Sequence, residues 1–328
     1  LIGGPGEPRP LIVHSGCLYQ QRFFAAEEQL VLRVARRLTA PARGGDALGA
    51  ATQAGVAGGP FELSQEQRDA VALAISRSLV VIAGGPGTGK TAIAAAILRA
   101  AAGLGMTGGR VALAAPTGKA AQRLGESIAS GLGDEQLEVP APTTLHRLLG
   151  YRPSGGFRHH ENHPLSAKLV LVDEASMIDL SLMDRLLAAL GPDSSLVLLG
   201  DPDQLPSVDA GAVFRDLVIS GDRAGSTGRY SCRLTQSYRM DPSDPQGRSI
   251  YELSRKVVSG EAGCVTELPS DGPAKLRFQG ARRSPAGEAD LETVARHWLD
   301  THFDAASVTP RIYPLADGRL TAADEADV

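Results

Sequence analysis

Eight consecutive residues, Gly84-Gly85-Pro86-Gly87-Thr88-Gly89-Lys90-Thr91, carry the plainest chemistry in this chain. Their spacing is the G-x-x-x-x-G-K-[ST] of a phosphate loop. The glycines let backbone N–H groups close on a β-phosphate, the Lys90 ammonium neutralises β and γ oxygens, and the Thr91 hydroxyl reaches Mg²⁺. An apolar β-branched run, Leu79-Val80-Val81-Ile82-Ala83, precedes the loop, and a helix-forming stretch over 92–102 follows it. A Gly-rich turn without a ligand is the alternative, and a strand before with a helix after argues against it. These residues predict nucleoside triphosphate binding.

Two further clusters suit the same chemistry. Asp173-Glu174-Ala175-Ser176 follows the apolar run Leu169-Val170-Leu171-Val172. Asp173 can hold Mg²⁺ directly or through water, and Glu174 can orient or deprotonate an attacking water. An acidic pair at a strand end is by itself more often a cap or a solvated turn; its position after a phosphate loop favours the catalytic reading. Gly200-Asp201-Pro202-Asp203-Gln204-Leu205-Pro206 follows a further apolar run, and Gln204 there can sense a γ-phosphate. A Pro-rich turn is the competing reading.

The elements that position these residues are legible as short apolar runs at 79–83, 111–115, 169–172 and 196–199. Strands buried on both faces of a parallel sheet have this composition, and helical stretches separate them, so the pattern predicts an α/β doubly wound parallel sheet with ligands at the carboxyl strand ends. Upstream, 1–40 reads as a small helical region with Phe24, Leu30, Val31, Val34 and Leu38 on one side and Arg33, Arg36 and Arg37 on the other, and 41–60, rich in Gly, Ala and Pro, reads as a linker. The run Tyr151 to His159 predicts a β-hairpin within an insertion at 151–163. His159, His160 and His163 suggest a metal, but a solvated loop fits better, with no cysteine or clustered carboxylates nearby.

The 328 residues, 43% hydrophobic, favour two domains, and the net charge of -4 leaves room only for a local basic groove. Three cysteines lie far apart, in no metal-ligand spacing, which suits reduced thiols. No apolar run approaches the roughly 18 residues of a membrane span and no signal core opens the chain, so the cytoplasm is the expected compartment. A start at Leu1 and an acidic, Ala-rich end make the sequence read as a fragment.

In order and composition, the phosphate loop, 173–176 and 200–206 resemble motifs one to three of superfamily one DNA helicases. Within them, Ala115-Pro116-Thr117-Gly118-Lys119-Ala120-Ala121, Thr144-Leu145-His146-Arg147-Leu148-Leu149-Gly150 and Asp173-Glu174-Ala175-Ser176-Met177 resemble the RecD family, the alpha subunits of exodeoxyribonuclease V. The resemblance implies a RecA-like P-loop fold and ATP-dependent 5′ to 3′ DNA translocation and unwinding in break repair. It also implies Mg²⁺ as cofactor, single-stranded DNA and duplex ends as substrates, RecB-like and RecC-like partners, and no membrane. A stand-alone RecD-like or relaxase-associated helicase, and an ATP-gated DNA-binding subunit, are the alternatives.

The family also implies roles for single residues. Gln67 would read adenine, although alone it reads as a surface helix residue. Thr117 and Lys119, and then Thr143, Thr144 and His146, would grip single-strand phosphates; a lone histidine at 146 would more simply be buried or helix-facing. Leu234-Thr235-Gln236-Ser237-Tyr238-Arg239 resembles motif four, with Arg239 as an arginine finger in cis. The implied organisation is a first motor domain over 61–233 and the start of a second over 234–328, because nothing after Arg239 matches the later motifs.

Overall fold

Six strands form one parallel sheet whose side chains alternate between two hydrophobic layers. The computed structural model describes residues 1–261 apart from 61, 134, 136, 154, 206, 208–209, 224–228 and 239–244. Along the chain, β4 (Leu79–Gly84), β5 (Val111–Ala115), β6 (Thr143–Thr144), β7 (Leu169–Val172), β8 (Ser195–Gly200) and β9 (Ser231–Leu234) assemble in the order β6-β5-β7-β8-β4-β9. Every pairing is parallel, so each connection crosses over through helices: α4 (Lys90–Gly103), α5 (Gly118–Leu132), α6 (Leu145–Leu148), α7 (Leu180–Ala188) and α8 (Val213–Arg223). In β4, Leu79, Val81 and Ala83 enter one core layer while Val80 and Ile82 enter the other, the period-two alternation of a strand covered on both faces. Each fully buried Val or Ile contributes about 1.5–3 kcal/mol. The four runs expected as strands are β4, β5, β7 and β8; β6 and β9 are additions, and β9 gives β4 a second neighbour.

The amino-terminal region departs from a purely helical one. Before α1 (Gln21–Thr39) stand β1 (Ile2–Gly3), β2 (Leu11–His14) and β3 (Cys17–Gln20) in a three-stranded sheet, with Ser15 and Gly16 turning at φ 48° and 78°. Ile12 and Phe24 are buried there, and the Phe24 ring is tilted on His14 and edge-on to Tyr19. Leu30 lies in the main core with Phe23, Ala26, Val34 and Leu38 against it, whereas Val31, 100° round the helix from Leu30, is 61% exposed. Arg33 and Arg37, expected on a solvated side, turn inward. Arg33 pairs with Asp184 of α7 and with Glu161, and Arg37 donates to the carbonyls of Leu190, Gly191 and Ser194.

The stretch with linker composition folds as well. It holds α2 (Asp46–Ala57), which lies on α4 so closely that a Cβ at Gly55 would sit 2.5 Å from the Ala96 carbonyl oxygen. Small residues there permit helix contact rather than flexibility. Next comes α3 (Gln65–Ser76), started by a capping box in which Ser64 and Gln67 bond each other's backbone N–H. The chain divides into two compact units, Leu1–Arg239 and Met240–Val328; in the second, the described element is α9 (Pro245–Val258), with Arg255 and Lys256 in its last turn.

Candidate nucleotide and nucleic-acid site

The phosphate loop leaves the carboxyl end of β4 and enters α4 through Gly87 and Gly89, at φ 75° and 83°, where an L side chain is strained. A Cβ at Gly89 would also lie 2.3 Å from the Gln67 amide nitrogen. The Lys90 ammonium folds back across the loop and donates to the carbonyls of Gly84 at 2.7 Å and Gly85 at 3.0 Å, while the Thr88 hydroxyl donates to Gly85 at 2.9 Å. Thr91 follows Lys90 in the first turn of α4, and Pro86 is exposed at the loop apex. Gln67 is 4% exposed, not a surface residue: its Oε1 accepts from the Ser64 N–H and its Nε2 donates to the Thr88 carbonyl. One end of the amide caps α3 and the other braces the loop, a link that sequence reasoning missed.

Asp173 stands at the end of β7, where its N–H donates to the Ala114 carbonyl. Among the described residues its buried Oδ1 has no hydrogen-bond partner, and neither does the buried hydroxyl of Ser176. Burial raises the Asp173 carboxyl above the usual range, against a bond from the Glu174 backbone and the nearby Lys90 charge. Glu174 is raised as well, first by desolvation and then by Asp173 and Asp201, with Lys90 and Arg123 opposing. Its backbone is left-handed at φ 53° and ψ 38°, a costly conformation for a non-glycine residue. At the end of β8 lies Asp201, buried with Oδ1 accepting from the Asp203 N–H, and then Gln204 with an exposed side chain.

The segment leaving β9 is hydrogen-bonded onto this loop. Tyr238 donates its N–H to the Gly87 carbonyl at 2.8 Å, and the Ser237 hydroxyl donates to Pro86 at 3.1 Å. Together with Leu63, Gln67, Gly89 and Thr91, the half-exposed Tyr238 lines a largely apolar cavity of about 540 Å³ that runs along α4 to Arg99. The resemblance of 234–239 to motif four pointed to Arg239 and not to Tyr238. Arg239 itself lies outside the described residues.

The residues proposed for DNA phosphates converge at the carboxyl ends of β5 and β6, where Ala114 and Ala115 pair with Thr143 and Thr144. Thr117 caps α5 by accepting from the Ala120 N–H, Thr144 caps α6 by accepting from Arg147, and Lys119 is exposed. His146 is exposed too, neither buried nor turned into a helix packing face, and its ring contacts Tyr151 and Phe157 with centroids 5.8 and 5.9 Å away. Tyr151 and Phe157 form an antiparallel bridge and stack edge-on at 5.7 Å, with Gly155 and Gly156 turning between them. A second bridge joins His160 to His163. Among the described residues no group of three or more His, Cys, Asp or Glu side chains is placed to hold a metal ion, and no helix is long and apolar enough to cross a membrane.

A phosphate loop at the end of an inner strand, with acidic residues at the ends of β8 beside it and of β7 one strand further on, defines a P-loop AAA-type domain, and the family model described as an AAA domain matches residues 67–210. The RecBCD enzyme subunit RecD of Mycolicibacterium smegmatis is 42% identical over 287 residues, 83% of this chain and 48% of that protein. The ATP-dependent RecD2 DNA helicase of Deinococcus radiodurans is 38% identical over 220 residues, 65% of this chain and 27% of that one. Among solved structures, the Pif1 helicase from Candida albicans aligns over 64% of this chain and 46% of that chain, at 20% identity and a TM-score of 0.41. Over most of its own length the chain is a homologue of RecD subunits. It spans about half the length of the first of these relatives and less of the second.

Proposed function

We propose that this chain is the ATP-hydrolysing first motor domain, with the beginning of a second, of a RecD-type 5′ to 3′ DNA translocase and helicase acting in double-strand break repair. The observation that carries this reading is the unpartnered carboxylate oxygen of Asp173, buried at the strand end beside the phosphate loop and within the field of Lys90. A hard cation fits that oxygen and the Thr91 hydroxyl. When bound, Mg²⁺·ATP would supply the phosphoryl bond and a positive charge that opposes the upward shift of both carboxyls.

The chain's own residues then act in turn. Lys90 exchanges the Gly84 and Gly85 carbonyls for phosphate oxygens. Glu174, held by its left-handed backbone, orients and deprotonates the attacking water. Gln204 senses the γ-phosphate from the neighbouring strand, and Arg239 supplies the arginine finger. Tyr238 and the cavity wall receive the base; reading adenine through Gln67 requires it to release the Thr88 carbonyl or the Ser64 N–H.

Thr117, Lys119, Thr143, Thr144 and His146 contact single-stranded DNA phosphates, and the rings of Tyr151 and Phe157 offer a stacking face beside Arg147, Arg152 and Arg158. Stacking is worth about 1–3 kcal/mol per base, so Tyr151→Ala should weaken single-strand affinity roughly 5- to 150-fold while basal hydrolysis persists. Work with RecB-like and RecC-like partners in the cytoplasm is the assembly this reading supports. Identity to a RecD2 helicase favours a second reading, a stand-alone motor.

The test is steady-state ATP hydrolysis and strand displacement by the full-length protein, on substrates with 5′ or 3′ single-stranded tails, in the presence and absence of RecB-like and RecC-like proteins from the same cell. DNA-stimulated turnover with unwinding from the 5′ tail is the expected result. Absence of hydrolysis, or unwinding only from the 3′ tail, overturns it.

A further inference from the structure

Two adjacent side chains on the first turn of α3 reach in different directions. Gln67 holds the phosphate loop through the Thr88 carbonyl. Glu66 instead grips the exit of β9: its Oε2 accepts from the Thr235 N–H at 2.9 Å, and its Oε1 accepts from the Thr235 hydroxyl at 2.8 Å. Two and three residues later the same exit segment is bonded to the loop apex, Ser237 to Pro86 and Tyr238 to Gly87. Helix α3, the loop and segment 235–238 therefore form a closed circuit of hydrogen bonds, and Thr235 is held at two points by one carboxylate.

A carboxylate accepting two bonds at one residue fixes both position and rotation of the backbone there, because displacement along either bond weakens the other. Strand β9 ends at Leu234, so Thr235 is the first residue after the ladder, where pairing with β4 no longer restrains the chain. Without a clamp at that point, the segment would lose two of the bonds that tie it down, leaving those of Ser237 and Tyr238 to the loop. The clamp lies at the surface, with Thr235 exposed and Glu66 half-buried. Exposed hydrogen bonds of this kind contribute little to global stability, so their removal leaves a folded protein in which geometry is the quantity that changes.

We propose that Glu66 is a positioning residue: through Thr235 it sets the segment that places Tyr238 against the phosphate loop and leads into Arg239. This inference rests on the hydrolytic reading given above. It predicts a larger defect in turnover than in nucleotide affinity, since Glu66 does not itself line the cavity and Tyr238 is one wall among several.

The experiment compares wild-type full-length protein with Glu66→Ala, Glu66→Gln, Thr235→Val and the Glu66→Ala/Thr235→Val double variant. Affinity for a fluorescent ATP analogue and steady-state kcat are measured separately. Misplacing a reacting group by about 1 Å costs on the order of 100-fold, and partial loosening should cost about tenfold in kcat for Glu66→Ala, with a clearly smaller loss of analogue affinity. Glutamine can accept from the N–H and donate to the hydroxyl, so Glu66→Gln should restore turnover to within about twofold. The double variant should be no slower than Glu66→Ala, because both changes break the same link. Wild-type kcat in Glu66→Ala, or a loss of affinity equal to the loss of turnover, overturns the positioning role alone. A wild-type protein that binds no nucleotide overturns the proposed function, and this inference with it.

Discussion

The amino end of β8 and the carboxyl end of the adjoining β7 are built on opposite terms. At the amino end of β8, the Ser195 hydroxyl accepts from Arg43 at 2.6 Å, the Ser194 hydroxyl donates to the Ala167 carbonyl at 2.6 Å, and Arg37 spans three carbonyls in the connection between α7 and β8. Burial, with Arg36 and Arg43 nearby, lowers Arg37 to about 10, which leaves it charged and donating at neutral pH. At the carboxyl end of β7, Asp173 and Ser176 keep buried oxygens without partners among the described residues, and Glu174 sits in a left-handed backbone. Unmet polarity and strain of this kind cost free energy, and they persist where a ligand completes them and where the rest of the fold holds the geometry. The arginine-bonded end is what lets the other end stay unfinished.

That contrast can be broken from either side. Glu174→Gln should have the largest effect, cutting turnover of the full-length protein by about 10²- to 10⁴-fold while analogue binding survives through Asp173 and Lys90. Equal loss of binding, read by fluorescence titration, would make Glu174 a structural residue. Lys90→Ala comes next: hydrolysis should fall about 10²- to 10³-fold with weakened binding of the triphosphate, and normal turnover would remove the phosphate loop from the chemistry.

Arg37→Ala tests the opposite end, and should lower unfolding free energy by about 2 kcal/mol in denaturant titration, with turnover below the transition unchanged. Asp173→Asn should do the reverse, stabilising the ligand-free protein by about 1 kcal/mol at neutral pH because it removes a buried, incompletely bonded carboxylate. The sign of its pH dependence follows from the raised folded-state value. Wild type carries the full cost of ionisation above that value, regains stability as pH falls through it, and matches the variant once pH is below the unfolded carboxyl value. A gain that grows on acidification would contradict the burial of Asp173.

Sequence alone disclosed the parts of the site made of backbone and charge. A strand buried on both faces has few alternatives to Leu, Val, Ile and Ala, and a phosphate loop has few alternatives to glycine, so β4, β5, β7, β8 and the loop were legible at once. Helix α2 was hidden because its glycines and alanines carry no amphipathic pattern; they serve contact with α4, which only the fold reveals. Strand β6 has two residues, both threonines, and gains meaning only from its register with Ala114 and Ala115. Arg33 and Arg37 looked solvated because charge usually is, and their partners lie more than a hundred residues along the chain. The engagement of Gln67 by Ser64 was readable as a capping box, but its second bond to Thr88 was not.

One feature of the sheet bears on how the molecule comes into being. Strand β4 sits between β8 and β9, yet its neighbours begin only at Ser195 and Ser231. As the polypeptide leaves the ribosome, the strand that carries the phosphate loop emerges early with both edges bare, and it waits for most of the domain before either is covered. Chaperone dependence, aggregation of truncated products and slow refolding should therefore centre on residues 79–84, and carboxyl-terminal truncations ending before Ser231 should be far less soluble than those ending after Leu234.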